Sequence, residues 1–145
     1  MSDKNTPVVA FVGLGSMGLG MAKNLLKHGH KVIGVDPSAA ARDAFVAAGG
    51  TTAATPAEAA KTADVVVRSG GLVIQCATVP PAFARTLGER LAANGHALLD
   101  APMSGGRARA ESGELTFMAS GSPAAFATAE SILSATSAKV FRLGD

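Results

Sequence analysis

Apolar positions fall into two alternating patterns along the chain. Short, mostly apolar runs at Val8 to Val12, Lys31 to Val35, Val65 to Val67, Leu72 to Cys76, Ala97 to Leu99, Leu115 to Ala119 and Lys139 to Arg142 predict buried strands. Between them, apolar residues recur at helical spacing. Met21, Ala22, Leu25 and Leu26 mark a helix up to His28, stopped by Gly29. Ser38 caps a second helix, Ala39 to Ala48, stopped by Gly49-Gly50. Thr55-Pro56-Ala57-Glu58 is a capping box with proline at the first helical position, opening a short helix to about Lys61. Pro81 to Ala93 places Phe83, Leu87 and Leu91 on one face, and Ser122-Pro123 starts a helix through Phe126 to Ile132-Leu133. Strands alternating with helices predict an α/β domain over residues 1–145, with a doubly wound, mostly parallel sheet covered on both faces.

One join breaks this logic. Only Arg68, Ser69, Gly70 and Gly71 separate the strand Val65–Val67 from the strand at Leu72. Parallel neighbours need a crossover of at least ~10–12 residues. Either the Gly70-Gly71 pair turns an antiparallel hairpin, or a crossover segment is missing near residues 67–68. The second reading is favoured.

Composition narrows the class. A length of 145 residues suits one domain with a real core. With 48% apolar and 17% charged residues, the chain is not of the disordered type. A net charge of +2, no Trp and no Tyr leave neither a basic stripe nor stacking platforms for nucleic acid. The single cysteine, Cys76, fits a reducing compartment and reads as a small buried hydrophobe rather than a nucleophile. Met1 to Pro7 is short and polar, and no apolar run approaches ~18 residues, so a cytoplasmic protein without a membrane segment is expected. His28, His30 and His96 have no metal-ligand partners at useful spacing and read as solvated or helix-end residues, so no metal is expected.

Three motifs carry chemistry. Gly13-Leu14-Gly15-Ser16-Met17-Gly18 lies between a strand and a helix, the context of a dinucleotide site in a Rossmann-type fold. Gly13 permits the tight turn, Gly15 lets the backbone approach a pyrophosphate, and Gly18 lets helix and strand pack closely. The helix start then offers free N–H groups and a positive dipole end to phosphates. Met17, inside this loop, reads as ligand-facing. Asp36 ends the second strand, where an acid accepts hydrogen bonds from the adenosine ribose hydroxyls and repels a 2′-phosphate. This predicts NAD over NADP, with Arg42 as a counter-signal because it can swing toward a 2′-phosphate. Asp100-Ala101-Pro102-Met103-Ser104-Gly105-Gly106 follows a strand, and a Ser hydroxyl before two Gly N–H groups can hold an anion such as a substrate carboxylate. An ordinary Gly-rich turn explains this spacing about equally well. Arg107 and Arg109 read as a solvated turn, with added positive charge near that site as the alternative.

Together with Ala77-Thr78-Val79-Pro80 and Gly113-Glu114-Leu115-Thr116-Phe117-Met118, these motifs resemble the β-hydroxyacid dehydrogenase family, which includes 3-hydroxyisobutyrate and tartronate semialdehyde enzymes. The stretches Glu114 to Ser122 and Ala138 to Gly144 most resemble its L-threonate dehydrogenase branch. The resemblance implies an NAD-dependent oxidoreductase that oxidises the hydroxyl of a small hydroxy acid, such as L-threonate, to a keto acid. It implies that Leu14, Met17 and Asp36 contact NAD, that Thr78 sits near the nicotinamide, and that Ser104, Gly105 and Gly106 hold the substrate carboxylate. The family's general base is a lysine in a Gly-x-x-x-Lys-x-x-Asn-like motif after the last strand of this domain. Lys4, Lys23, Lys27, Lys31, Lys61 and Lys139 match no such motif, so no catalytic residue is assigned within the chain. The family's helical C-terminal domain, through which the parent enzyme would form a homo-oligomer, is likewise not matched. Relatives also carry a ribose-covering loop and a helix where this chain has the join at Arg68, which favours the missing-segment reading. The alternatives are a non-catalytic NAD-binding module and a relative acting on 3-hydroxyisobutyrate, tartronate semialdehyde or an imine.

Overall fold

The protein was analysed as a computed structural model, which describes residues 6–63 and 71–145. The expected strand Val65–Val67 and the join beginning at Arg68 fall outside those residues. In chain order the elements are β1 (Val8–Val12), α1 (Gly18–Lys27), β2 (Lys31–Val35), α2 (Ala39–Ala47), β3 (Thr51–Thr52), α3 (Pro56–Ala59) and β4 (Leu72–Gln75). There follow α4 (Pro81–Ala93), β5 (Ala97–Asp100), β6 (Met103–Ser104), α5 (Gly106–Ser112), β7 (Leu115–Ala119), α6 (Pro123–Thr136) and β8 (Ser137–Arg142).

β1 pairs in parallel with β2, Val9 opposite Val32, and β2 pairs in parallel with β3. β4 and β5 form a second parallel pair, Ile74 opposite Leu99. β6 runs antiparallel to β7, which is parallel to β8, and an isolated antiparallel bridge between Asp100 and Ser120 links these strands to β5. The fold is a Rossmann-type α/β domain with mostly parallel pairing, as the alternation of runs predicts. Helices cover much of β1, β2, β4 and β7, which is why these read as near-continuous apolar runs, whereas β3 and most of β8 are exposed.

Helix α1 is the pivot of the packing. Met21 enters a core with Leu72, Leu99, Leu115, Phe117 and Phe126, while Ala22 and Leu25 enter another with Val9, Leu14, Val32 and Phe45. A Cβ at Gly20 would lie 2.8 Å from the Glu111 nitrogen, so the backbones of α1 and α5 are in direct contact. Buried Asn24 fixes this contact: its Nδ2 donates to the carbonyls of Ala110 at 2.8 Å and Glu111 at 3.1 Å. Both bonds satisfy polar groups at the end of a short helix that would otherwise be costly to bury.

The structure corrects the sequence reading in several places. Arg107 and Arg109 lie on α5, not in a turn. This helix has seven residues and one buried side chain, Ala110, so it carries almost no periodic signal. Contact with α1 sustains it rather than intrinsic propensity. It ends at Gly113, whose φ of +75° is the left-handed conformation that glycine adopts cheaply. β3 and β6, two residues each, are too short for a pattern. β8 starts at Ser137 rather than Lys139, directly after α6. β5 continues through Asp100, and Cys76 lies just past the end of β4. His30 is buried rather than solvated, with Nε2 3.3 Å from the Ser131 carbonyl oxygen. His28 is a helix-end residue as expected, its Nδ1 2.8 Å from the Asn24 carbonyl oxygen.

Phe45 tests the first core. Its ring is fully buried and lies where a Cβ on Gly34 would come within 2.7 Å. Phe45→Ala should destabilise the domain by about 3–5 kcal/mol, as truncation of a buried aromatic does. Val46→Ala, at a position 51% exposed, should change stability by less than ~0.5 kcal/mol. Urea unfolding followed by circular dichroism measures both.

Candidate functional site

The loop after β1 is built from missing side chains. Gly13 has a φ of +96°, and its N–H donates to the Val35 carbonyl at 2.8 Å, which ties the loop to the end of β2. A Cβ at Gly18 would collide with the Gly13 carbonyl oxygen, so α1 starts in contact with the turn. At Gly13 and Gly15 an added Cβ would meet nothing within 4 Å. Their bareness leaves open space in front of the backbone instead of making room for packing. Ser38, Thr55 and Ser122 cap α2, α3 and α6 through their hydroxyls, whereas Met17 at the start of α1 supplies no side-chain cap. Uncapped N–H groups beside open space suit the pyrophosphate of a dinucleotide.

Two loop residues have side chains turned wholly or partly toward the core. Leu14 does not face outward: its side chain is buried in the core with Phe45. Its backbone N–H is also engaged, donating to Asp36 Oδ2 at 2.8 Å. Met17 is half-buried and packs against the core that contains Met21, so it is less ligand-facing than its loop position suggests. Ser16 and Gly15 are exposed.

Asp36 is the electrostatic centre of the site. Besides the Leu14 bond, its Oδ1 accepts from the Ser38 N–H at 2.8 Å. The two backbone N–H groups, Ser38 first and then Leu14, hold the carboxyl below its ordinary range, with a smaller contribution from Arg42. Sequence reasoning placed Asp36 correctly but missed this double bond, because nothing in the spacing shows which backbone groups converge on a carboxylate.

The remaining candidates lie at the ends of later strands. Thr78 is exposed in the loop after β4. Ser104 is exposed on β6, opposite Thr116. Gly105 and Gly106 have φ of +137° and +68°, so both positions favour glycine. A cavity of about 450 Å³ is lined by Gly13 and Gly18 from the first loop, Cys76 and Ala77 after β4, and Met103 on β6. Most of its wall is apolar, from β1, β4, α1 and α6, and Asp36, Thr78, Ser104, Gly105 and Gly106 do not line it. Cys76 packs against the core, and burial, aided by nearby Asp100, pushes its thiol up to about 12. It is a protonated packing residue, not a nucleophile. Arg107 is paired with Glu111 at 2.8 Å along α5, so its charge is already engaged. Among the described residues no group of three or more His, Cys, Asp or Glu side chains forms a metal site, and no helix is long and apolar enough to cross a membrane.

Comparison with known proteins agrees with this geometry. Residues 8–69 and 66–144 match the family profile described as the NAD binding domain of 6-phosphogluconate dehydrogenase. The chain belongs to the β-hydroxyacid dehydrogenase family. It is 42% identical to an L-threonate dehydrogenase of Cupriavidus necator over 159 residues, covering 94% of this chain and 54% of that protein. It is 36% identical to an NAD-dependent L-serine dehydrogenase of Pseudomonas aeruginosa, covering 94% of this chain and 53% of that one. Among solved structures, a 3-hydroxyisobutyrate dehydrogenase from Salmonella typhimurium superposes with a TM-score of 0.90 at 33% identity, covering 94% of this chain and 55% of the other. The chain thus spans about half the length of these relatives. The family member described here is an NAD-binding domain.

The Asp36 bonds predict a pH dependence. A carboxylate with a lowered folded-state value stabilises the fold fully above its ordinary 3.8, and that contribution is lost as pH falls through the folded value. Asp36→Asn should therefore cost stability at neutral pH. The gap between the variant and the original protein should close as pH drops below 3.8. Thermal unfolding across that range reads the difference.

Proposed function

We propose that the chain is the cofactor-binding part of a cytoplasmic, NAD-dependent dehydrogenase that oxidises the hydroxyl of a small hydroxy acid, with L-threonate as the first substrate to test. The carrying observation is Asp36, a carboxylate just after β2 whose two backbone hydrogen bonds hold it below its ordinary range, one of them from the Leu14 N–H of the Gly-rich loop. Its remaining lone pairs suit the adenosine ribose hydroxyls, and its charge disfavours a 2′-phosphate. The L-threonate dehydrogenase of Cupriavidus necator supports the substrate choice.

In this reading each element has one task. The uncapped start of α1 holds the pyrophosphate, with Gly13, Gly15 and Gly18 keeping the backbone bare. Thr78 borders the nicotinamide end. The Ser104 hydroxyl and the N–H groups of Gly105 and Gly106 hold the substrate carboxylate, which fixes the carbinol carbon in one orientation. NAD, when bound, supplies the hydride acceptor. The hydroxyl proton needs a general base. None of the lysines at positions 4, 23, 27, 31, 61 and 139 stands in the family's base motif. We assign that base, and the oligomer contacts of the parent enzyme, to a helical region equivalent to the second half of the relatives.

A segment missing near residues 67–68 belongs to the same proposal. The two stretches matched to the family profile meet at residues 66–69. An alignment with a 3-hydroxyisobutyrate dehydrogenase of Dictyostelium discoideum runs over 168 positions against the 145 residues of this chain. The relative thus carries additional residues inside the matched span, as a crossover helix with its loop requires.

The test is a titration with NADH followed by an assay of NAD+ reduction on L-threonate, L-serine and 3-hydroxyisobutyrate. The 145-residue chain should bind NADH, and Gly18→Val should abolish binding. Without a base, turnover should fall at least ~10²–10⁴-fold below that of a complete relative. Turnover at the rate of the relative would overturn the assignment of the base. Failure to bind NADH in a folded chain would overturn the site itself.

A further inference from the structure

We infer that a second cavity, between α4, β5 and the end of β7, binds a linear aliphatic diammonium ion, one ammonium on the Asp100 carboxylate and the other end reaching His96. The cavity measures about 450 Å³, and none of the Gly-rich loop, Asp36, Ser104, Gly105 or Gly106 lines it. Its floor is one face of β5. Leu99 and Ala101 are buried in the core on the other face, and His96, Leu98 and Asp100 alternate with them and line the cavity. Four residues along a strand span about 13 Å at roughly 3.3 Å per residue, so His96 and Asp100 mark the two ends of the floor with Leu98 between them. Pro81, Ala84, Gly88 and Ala92, three or four residues apart on α4, form an apolar wall.

Both ends of the floor are chemically unfinished. Asp100 Oδ1 and His96 Nδ1 are shielded from water, and neither has a hydrogen-bond partner among the described residues. The Asp100 backbone is fixed: its N–H donates to the Ser120 carbonyl at 3.0 Å, and its carbonyl accepts from the Ser120 N–H at 2.8 Å. The carboxylate is thus held in place with an oxygen that lacks a donor, which is costly, most of all for a charged group. Arg85 also lines the cavity, but it is exposed and forms no ion pair with Asp100. These features specify the ligand. Asp100 calls for a cation that donates hydrogen bonds, as an ammonium does. His96 Nδ1 is a second acceptor when its ring carries the proton on Nε2. Asp145 at the rim adds a second carboxylate, so the lining charges favour a cation over an anion. Leu98 and the wall of α4 suit a hydrocarbon spacer between the two ends. A metal ion is a poorer fit, because among the described residues no three His, Cys, Asp or Glu side chains converge.

Isothermal titration calorimetry at constant ionic strength tests this with 1,8-diaminooctane, 1,4-diaminobutane, octylamine and octanoate. The chain should bind 1,8-diaminooctane, and Asp100→Asn should weaken that binding roughly 10–100-fold, the worth of a charge-assisted hydrogen bond. The shorter diamine carries the same charge but cannot span the floor, so it should bind more weakly. Octylamine, with one ammonium, should also bind more weakly, and His96→Leu should erase the advantage of 1,8-diaminooctane over it. Octanoate should not bind. Equal binding of the two diamines would mean that only their charge is sensed, and undiminished binding by Asp100→Asn would mean that this carboxylate holds nothing. Either result overturns the inference, as does an original chain that binds no amine. If circular dichroism shows that Asp100→Asn does not fold, Gly88→Leu decides. A Cβ at Gly88 meets only Leu98 Cδ2, at 3.5 Å, so the new side chain is accommodated and fills the cavity from its wall. That variant should lose 1,8-diaminooctane, and retained binding would place the amine elsewhere and overturn the site.

Discussion

Asp36 accepts two backbone hydrogen bonds from two different loops, and the geometry of the site follows from that. Leu14 donates from the Gly-rich loop after β1 and Ser38 from the turn into α2, each at 2.8 Å. Both donors belong to irregular backbone, where an N–H without a partner is costly if shielded from water. One anion satisfies both and sets the spacing between the two loops. The Gly13 N–H on the Val35 carbonyl adds a second tie from the Gly-rich loop to the end of β2, beside the Leu14 bond. The two segments expected to touch opposite ends of an adenosine diphosphate are thus fixed relative to each other before a ligand binds. Fixed donors and acceptors raise affinity by lowering the ordering cost of binding.

The rigidity extends to α1. Its start is pressed against the turn at Gly18 and its middle against α5 at Gly20, while Asn24 bonds the far end of α5 one turn later. Met21 and Leu25 anchor it in two separate cores. The helix cannot slide without breaking one of these contacts, so the direction of its N-terminal N–H groups is set by packing rather than by a ligand. The same helix connects the β1–β2 half to β7 and β8 through α5 and α6. The first half of the chain, which carries the dinucleotide loop, is thereby coupled to the second, which carries Ser104 to Gly106.

Much of this was legible in the sequence, and the exceptions have physical causes. The alternation of apolar runs and helical spacings was enough for the α/β fold, because buried parallel strands must be apolar on both faces. Gly13, Gly15, Gly18 and Asp36 were legible because the chemistry restricts those positions to very few residue types. Met17 reads as ligand-facing from its loop position, yet a residue's place in a loop says nothing of where its side chain points. Leu14 points into the core with Phe45, and Met17 packs partly against Met21's core. Helix α5 was missed because its stability comes from Gly20 and Asn24, far away in sequence. His30 looked like an exposed helix end, yet α6 passes over it. Tertiary contact decided each of these cases.

The carboxylate of Asp36 carries a structural task and an electrostatic one, and the two cannot be separated by simple deletion. An alanine there would remove the repulsion toward a phosphate but would also strand the N–H groups of Leu14 and Ser38. Leaving such donors unsatisfied costs about 1–3 kcal/mol when they are shielded. The two donors bond different oxygens, Leu14 to Oδ2 and Ser38 to Oδ1, so the bracing needs both carboxylate oxygens. Asn offers one oxygen and a donor NH2, and Ser a single hydroxyl, so neither serves both N–H groups. A chain built this way can change its cofactor preference only by giving up part of the bracing that orders its site. Selectivity and preorganisation are therefore coupled through one side chain, and Arg42, bonded to the carbonyls of Asp36 and Pro37, holds the same turn from its other side.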